Sequence, residues 1–591
     1  MTISSIRVSL QNTLNTAFSL LAFTCLSISS NAQETLFRQV GDTKSGTYVE
    51  VVSLFSKPGL GGFLPVRVLI ANNQKIPHNI FLDFKGSKDF QDNLTTSSNF
   101  SFFVKQGTTT SYDILVPLNA QNGSPHASYR KLKVSLSGTM GQAEQIEDIP
   151  FVPEQPVVLL SERLYSANAS ALDTELKSHL SGSGRSGGGN IFASKFTAKQ
   201  LPDDWRAFSA FDSIMMTDDD WSEIPAGSRN AIAAWLRLGG QLVIYTQTNV
   251  TPTALGLPNE ASFGNILTKK ITGDRLAPKE TIDLAFSNGS KKTRIQAIAK
   301  DFNSHWALQD ILGKKTFNYT LFVLILIAFG ILVGPINLFV FAKSGRRHRL
   351  FITTPIISIA TSVLLVVLII LQDGFGGAGA RIVLMEVRPD ENQNAAFIHQ
   401  EQFSRTGVMT SPSFLIDTSA TISPVPIANS RWSRFTDDYN TQGAYDLQAT
   451  SRSLVASGSW FQSRSEQGQL ISAVIPTRGR IETTPSSGEL ISTFSFPLET
   501  ILYRDGNGDW FRADKITKGR KMQLMPVEPT IAQSVLNNLT KKFSQRNQTM
   551  FKAVQKRDDH FIAFTSQGPA IETHSAIDWQ TTTVITGPVA R

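Results

Sequence analysis

Three consecutive carboxylates, Asp218-Asp219-Asp220, follow the apolar run Ser213-Ile214-Met215-Met216-Thr217. At the C-terminal end of a buried parallel strand, where open α/β sheets bind their ligands, three such groups supply the oxygen donors that a magnesium ion takes. The same residues serve equally well to cap a helix and solvate a loop. Gly184-Arg185-Ser186-Gly187-Gly188 satisfies the pattern G-x-S-x-G, but a nucleophile elbow needs a strand before its serine and a helix after it. Here a helical pattern ending near Leu180 precedes the motif and a strand-like run from Ile191 follows, so the glycine- and serine-rich stretch reads as a flexible loop. It lacks the Gly-Lys-Ser/Thr ending of a phosphate loop. Asp505-Gly506-Asn507-Gly508-Asp509 begins like a calcium loop, yet Trp510 stands where the sharp turn needs glycine and Ile516 where the bidentate glutamate belongs. A hairpin turn between Leu502-Tyr503 and Trp510-Phe511 is the simpler reading. The histidines at 78, 126, 179, 305, 348, 399, 560 and 574 form no pair at metal-ligand spacing, and Cys25 is the single cysteine. An intramolecular disulfide and a cysteine-based zinc site are thereby excluded.

Phe414-Leu415-Ile416-Asp417-Thr418-Ser419-Ala420-Thr421 approximates the D-x-S-x-S cation loop of von Willebrand A-type adhesion domains. Such a loop leads into a helix, whereas Pro424 and Pro426 follow closely in this chain.

The elements that must position these groups are read from hydrophobic spacing. The chain has 591 residues, enough for roughly three to five folded units. From 36 to 152, Val66, Val68, Ile70; Ile80, Leu82, Phe84; and Leu132, Val134, Leu136 alternate at strand spacing between turn signals, which predicts an immunoglobulin-like β-sandwich over 33–154. Over 155–312 the apolar run Val157-Val158-Leu159-Leu160 precedes Leu172, Leu176 and Leu180 at helical spacing. Ser213 to Met216, the helical face Ile232, Trp235, Leu236, and the run Leu242 to Tyr245 continue the alternation. Strand alternating with helix predicts a parallel-sheet α/β domain. The segment 373–591 returns to strand-like runs and is expected to be mostly β with one long helix, Ile531 to Val554, whose stripe Leu536, Leu539, Phe543, Met550 lies beside Lys541, Lys542, Arg546 and Lys552.

Residues 1–32 carry Arg7 as their one charged side chain, then an apolar run and a small-residue end at Ala32, the layout of a secretory signal peptide. Two uncharged stretches, 319–342 and 351–371, are each long enough to cross a bilayer. Between them 343–350 holds Lys343, Arg346, Arg347 and Arg349, which the positive-inside rule places in the cytoplasm. With the signal peptide, this puts both large segments on the exported side of a bacterial cytoplasmic membrane. The net charge of +8 invites a nucleic-acid reading, but Arg7 and the four loop charges carry five of the eight. No nucleic-acid partner is expected; the lipid bilayer and other envelope proteins are.

The domain order and several strings resemble a group of bacterial membrane proteins of largely undefined role, with an exported immunoglobulin-like region, a class I glutamine amidotransferase-like α/β domain and a transmembrane hairpin bearing Gly-Pro-x-Asn/Asp-x-Phe. The matching strings are Phe211-Asp212-Ser213-Ile214, Ala234-Trp235-Leu236-Arg237-Leu238-Gly239-Gly240-Gln241-Leu242-Val243, Gly334-Pro335-Ile336-Asn337-Leu338-Phe339 and Asp373-Gly374-Phe375-Gly376. A working amidotransferase of this class uses a cysteine at a G-x-C-x-G elbow, and no cysteine follows residue 25. The resemblance therefore implies a fold kept for binding or scaffolding, with no cofactor expected. The other reading is an exported hydrolase or divalent-metal enzyme working through Asp218, Asp219 and Asp220.

Overall fold

The computed structural model describes residues 34–56, 59, 61–87, 94–118, 129–150, 155–181, 191–258, 262–286, 306–313, 319–341, 344–389, 394–411, 413–425, 427, 445–449, 453–484 and 489–590. The signal-peptide stretch, the Gly184–Gly188 motif and Lys343 lie outside them. The fold is mixed α and β, mostly β, with several sheets and two long apolar helices.

Alternation in the N-terminal part builds two facing sheets. Strands Glu34–Asp42, Thr47–Ser53, Gly62–Asn72 and Thr108–Leu118 form an antiparallel four-stranded sheet. His78–Ser87, Leu94–Val104, Tyr129–Gly138 and Ala143–Pro150 belong to the second. Val66, Val68 and Ile70 of the first meet Ile80, Leu82, Phe84, Leu132, Val134 and Leu136 of the second in one core, the inward set that a period of two dictates. The second sheet then recruits strands from far along the chain. Tyr445–Ala449 runs parallel to Leu94–Val104, with Tyr445 opposite Thr96, and Leu454–Gly458 and Phe414–Ile416 complete seven strands.

The middle part is a five-stranded, all-parallel sheet in the order Ala193–Phe196, Val158–Ser161, Ser213–Thr217, Gln241–Thr246, Asn265–Lys270. Successive side chains point to opposite faces. Val158, Leu160, Met215 and Val243 pack with Leu172, Leu176 and Leu180 of helix Glu162–Ser181, while Leu159, Ile214, Met216, Leu242 and Ile244 pack with Ile232, Trp235 and Leu236 of helix Ala226–Arg237. Burial on both faces is why these strands read as continuous apolar runs.

The C-terminal part is built on a nine-stranded sheet ordered Ala420–Val425, Glu466–Pro476, Ala395–Thr406, Gly377–Val387, Ile577–Pro588, His560–Thr565, Leu498–Arg504, Trp510–Ile516, Met525–Pro526. Its single parallel pairing joins Gly377–Val387 to Ile577–Pro588. Pro424 sits in the edge strand, where a missing amide donor is tolerated. The expected single helix Ile531–Val554 is instead two, Pro529–Thr540 and Gln545–Val554. The break has a physical cause: the Ser544 amide, which a continuous helix would spend on the Thr540 carbonyl, donates to the buried Glu401 carboxylate at 2.9 Å. Leu536, Leu539 and Phe543 of the expected stripe are buried against the sheet across the break, but in the second helix it is Phe551 that is fully buried and Met550 only partly.

Among the described residues, two helices are long and apolar enough to cross a membrane. The first runs as an α-helix over Tyr319–Ile331 and widens into a π-helix over Leu332–Phe341. Pro335 explains the change, because a proline ring collides with the carbonyl four residues earlier, here Ile331, the last α-helical residue. The second helix is Leu350–Asp373. Most of the large apolar side chains of both point outward, whereas Asn337 is 0% exposed. Its amide donates to Thr354 Oγ1 at 2.9 Å and its carbonyl accepts from Thr353 Oγ1 at 2.6 Å. An amide among apolar side chains is costly unless both ends are satisfied, so this residue holds the two helices in one register.

Replacing it tests the point. Asn337→Leu is expected to weaken the helix pair by about 1 kcal/mol, read as an earlier midpoint in a sodium dodecyl sulfate unfolding titration of the detergent-solubilised chain. An unchanged midpoint would remove Asn337 from that role.

Candidate functional site

The parallel sheet places Val158–Ser161 and Ser213–Thr217 side by side at its centre, with the next strand in sequence, Ala193–Phe196, outside the first. This is a topological switch point, the position where open α/β sheets leave a crevice beyond their strand ends. The groups gathered there are Glu162 and Arg163, starting the helix after one strand, and Asp218, Asp219 and Asp220, starting the short helix Asp218–Glu223 after the other.

The three aspartates reach this edge but do not converge on a common point. Asp220 closes a capping box, its Oδ2 accepting from the Thr217 amide at 3.0 Å and the Thr217 hydroxyl at 2.8 Å while Thr217 Oγ1 accepts from the Asp220 amide at 3.1 Å. Asp219 pairs with Arg163 Nη1 at 2.6 Å. Arg163 Nε reaches Asp274 Oδ1 at 3.0 Å, so one guanidinium spans the crevice between two carboxylates, whose hydrogen bonds raise its pKa. Asp218 Oδ1 accepts from the Asp219 amide at 3.1 Å. The arrangement is that of a helix cap and an ion-pair bridge. Among the described residues no three His, Cys, Asp or Glu side chains gather as a metal-binding group.

The remaining motifs are placed as follows. Asp505 to Asp509 is a hairpin turn, in which Asp505 Oδ1 accepts from the Asn507 and Asp509 amides at 3.0 and 2.8 Å and Gly508 takes φ +88°. Asp417 leads into strand Ala420–Val425, and the neighbouring Ser419 hydroxyl accepts from Trp205 Nε1 at 3.1 Å. Arg346, Arg347 and Arg349 are exposed in the turn joining the two apolar helices.

A second constellation was invisible in the sequence. Where the parallel-sheet part meets the C-terminal sheet, Glu386 is 0% exposed and lies 3.3 Å from both Arg388 and Arg557, and Arg557 also donates to the Ser262 carbonyl. His560 is buried beside these two arginines. Desolvation first, and then their positive charges, push its pKa down to about 3. His399, against Phe263 and 3.2 Å from Ser472 Oγ, is pushed down to about 3 by burial and then by Arg546. The one available signal was polar residues within strand-like runs: Glu386 in Arg381-Ile382-Val383-Leu384-Met385-Glu386 and His399 in His399-Gln400-Glu401-Gln402. Alternation marks such residues as solvent-facing, whereas helices and a neighbouring sheet cover them here.

No known family model matches the chain, and no curated protein does. Among solved structures it is similar over 33% of its length to 27% of a Paenibacillus sp. cycloisomaltooligosaccharide glucanotransferase complexed with cycloisomaltoheptaose, at 11% identity and a TM-score of 0.16. Over 34% it is similar to 23% of a calcium-binding mutant of Bacteroides uniformis β-glucuronidase 2, at 8% identity and a TM-score of 0.14. Over 36% it is similar to 96% of the yeast δ-COP-I μ-homology domain complexed with a Dsl1 peptide, at 11% identity and a TM-score of 0.16. The chain thus spans about a quarter of the first two proteins. TM-scores of this size mark no common fold.

Two measurements follow from the geometry. If Asp220 acts as a cap, Thr217→Ala costs about 1 kcal/mol of stability, and magnesium leaves the melting temperature of the unaltered chain where it was; a rise with magnesium would restore the metal reading. The two histidines set a pH dependence. They stay neutral in the folded chain down to about pH 3 but take up protons near 6.5 once unfolded, so the unfolded state binds more protons below that value. Stability is therefore full above pH 6.5 and lost as pH falls toward 3, by about 1.4 kcal/mol per histidine at pH 5.5. Denaturant midpoints at pH 7.5 and 5.5 are expected to separate less in the His399→Asn, His560→Asn double variant than in the parent.

Proposed function

We propose that this chain is a non-catalytic, membrane-anchored protein of the bacterial cell envelope whose exported part binds a partner protein or an envelope ligand. In this reading the two apolar helices form a transmembrane hairpin. The N-terminal facing sheets are an immunoglobulin-like sandwich, the parallel-sheet part is an amidotransferase-like domain without its nucleophile, and the C-terminal sheet domain lies on the same side of the membrane.

One observation carries the reading: segments before and after the hairpin are packed together. Tyr445–Ala449 extends a sheet begun by His78–Ser87 and Leu94–Val104. Phe63 lies in the core of the C-terminal sheet and Phe397 in that of the parallel sheet. A chain that enters and leaves the bilayer between two such halves must return to the side it came from. The exposed Arg346, Arg347 and Arg349 at the tip of the hairpin support a cytoplasmic turn, and the exported side follows for the body.

The lack of catalysis is supported by how the best-placed polar groups are engaged. Asp219 and Asp220 are held in an ion pair and a capping box, and no cysteine stands after residue 25 to supply a thiolate. With these carboxylates engaged in structure, we read the body held at the membrane surface as a platform for binding.

Alkaline phosphatase fusions after residues 250, 346 and 580 are expected to be active, inactive and active in turn. Activity at 346 with inactivity at 580 would overturn the arrangement.

A further inference from the structure

The two ends of the hairpin meet the body at one place. Arg405, near the end of strand Ala395–Thr406, donates to the Leu312 carbonyl at 3.2 Å and the Gly313 carbonyl at 2.8 Å, and is itself fixed by Glu466 at 2.7 Å. Immediately after it, Gly407 and Val408 take the other end: the Val408 amide donates to the Gly374 carbonyl at 2.9 Å, the Gly376 amide to the Val408 carbonyl at 3.0 Å, and the Gly407 amide to the Gly376 carbonyl at 2.6 Å. Three residues within one four-residue stretch, Arg405, Gly407 and Val408, therefore hold the chain where it approaches the first apolar helix and where it leaves the second.

The exit turn is shaped for one outcome. Gly374 and Gly376 both take φ +75°, a conformation that side chains rarely adopt. A Cβ on Gly376 would stand 2.1 Å from the Ala576 carbonyl oxygen. Phe375 between them is bridged to Val408 through the backbone, yet its ring is 65% exposed. A fixed backbone thus presents a large apolar side chain outward, two residues beyond the end of helix Leu350–Asp373. Ile311, 40% exposed on the lead-in segment, adds apolar surface at the opposite end of the clamp. Arg464, at φ +57°, braces the same stretch, its amide donating to the Gly407 carbonyl at 2.9 Å.

We infer that this rim, Phe375 at the exit turn with Ile311 at the other end of the clamp, is a lipid-contact surface that seats the body in the headgroup layer of the membrane that the hairpin crosses. The inference rests on the transmembrane reading given above. The occupant follows from continuity. Phe375 is tied to a helix whose apolar surface must end at the headgroups, and the backbone bonds that join Gly374 and Gly376 to Val408 and Gly407 hold the exit of that helix against the body. Exposed aromatic and aliphatic groups at the end of a membrane-crossing helix match the chemistry of that layer.

The test uses the full chain in nanodiscs of phosphatidylethanolamine and phosphatidylglycerol, with Cys25 replaced by Ser and one cysteine introduced at a time for an environment-sensitive fluorophore. Labels are placed at Phe375→Cys, Ile311→Cys, Val363→Cys within the second apolar helix, and Lys105→Cys in an exposed turn. The 375 and 311 labels are expected to be blue-shifted relative to 105, several-fold less quenched by aqueous iodide, and quenched by lipids carrying a headgroup nitroxide. A 363 label shielded from iodide while 375 and 311 behave like 105 would overturn the lipid contact and leave the hairpin standing. A 363 label as open to iodide as 105 would overturn the transmembrane reading and this inference with it. Shielding of 375 and 311 without quenching by nitroxide lipid would show that protein covers the rim, and also overturns the inference. Two labelled sites at opposite ends of the clamp keep the result readable if one variant fails to fold.

Discussion

Strand Ala395–Thr406 is buried along almost its whole length while carrying His399, Gln400, Glu401, Gln402, Ser404 and Arg405. Polar groups in such a place must each find a partner, since an unsatisfied one costs about as much as a hydrogen bond is worth or more. The partners come from distant parts of the chain. Gln400 exchanges two hydrogen bonds with the Ile571 backbone at 2.9 and 2.8 Å, and Gln402 donates to Gln469 at 3.0 Å. Glu401 accepts from Trp306 Nε1 at 3.2 Å, the Ser544 hydroxyl at 2.5 Å and Asn547 at 2.6 Å. One strand thereby ties together the lead-in to the first apolar helix, the two C-terminal helices and the segment before the last strand. Its end supplies the clamp for both hairpin termini.

Residues in and around the strings Phe211-Asp212-Ser213-Ile214 and Ala234 to Val243 make structural contacts of a similar kind. Arg237 lies over the Phe397 ring at 5.3 Å, joining the parallel sheet to the C-terminal one, and Arg206 lies over Phe63 at 5.7 Å, joining it to the N-terminal one. Gly240 has no room for a side chain, as a Cβ would stand 2.4 Å from the Trp235 ring, and Gly264 packs on the Leu236 carbonyl. Phe211 meets Phe55 edge to face at 5.2 Å, and Asp212 accepts from the Val157 amide at 2.8 Å. Arg237, Arg206 and Phe211 thus fix the parts against one another, while Gly240, Gly264 and Asp212 tighten the parallel-sheet part itself.

Local pattern made much of this legible. The strands ending at Ser161, Thr217 and Thr246, helix Glu162–Ser181, the hairpin turn at Asp505 and the two apolar helices all declare themselves by the spacing of their own residues. What stayed hidden is non-local. The pairing of Tyr445 with Thr96 spans most of the chain, and neither run differs from any other strand. The break at Ser544 arises from a carboxylate in another element, so a helical stripe that continues through it reads as unbroken. The Glu386 cluster uses residue types that alternation assigns to solvent. For the aspartates at 218–220 the sequence left a cap and a cation site open, because composition does not say how carboxylates are arranged; the structure places Asp220 in a capping box with Thr217 and Asp219 in an ion pair with Arg163.

The polar content of strand Ala395–Thr406 is better understood as specifying register than as adding stability. Buried ion pairs and amides offset their own desolvation incompletely, and an apolar strand of the same volume would be at least as stable. An apolar strand, however, tolerates a slip. Moving this one by a single residue would exchange the set His399, Glu401, Phe403 with the set Gln400, Gln402, Ser404, each then facing partners it cannot satisfy. It would also carry Arg405 and Val408 about 3.4 Å along the sheet, away from the carbonyls of Leu312, Gly313 and Gly374 that they hold. The segments that flank the two apolar helices are held side by side by these bonds, so a slip would be felt there as much as in the core. Asn337 applies the same principle inside the hairpin, where its bonds to Thr353 and Thr354 admit one alignment of the two helices. In both places a few buried polar groups choose among packings that apolar contacts alone would leave nearly equal.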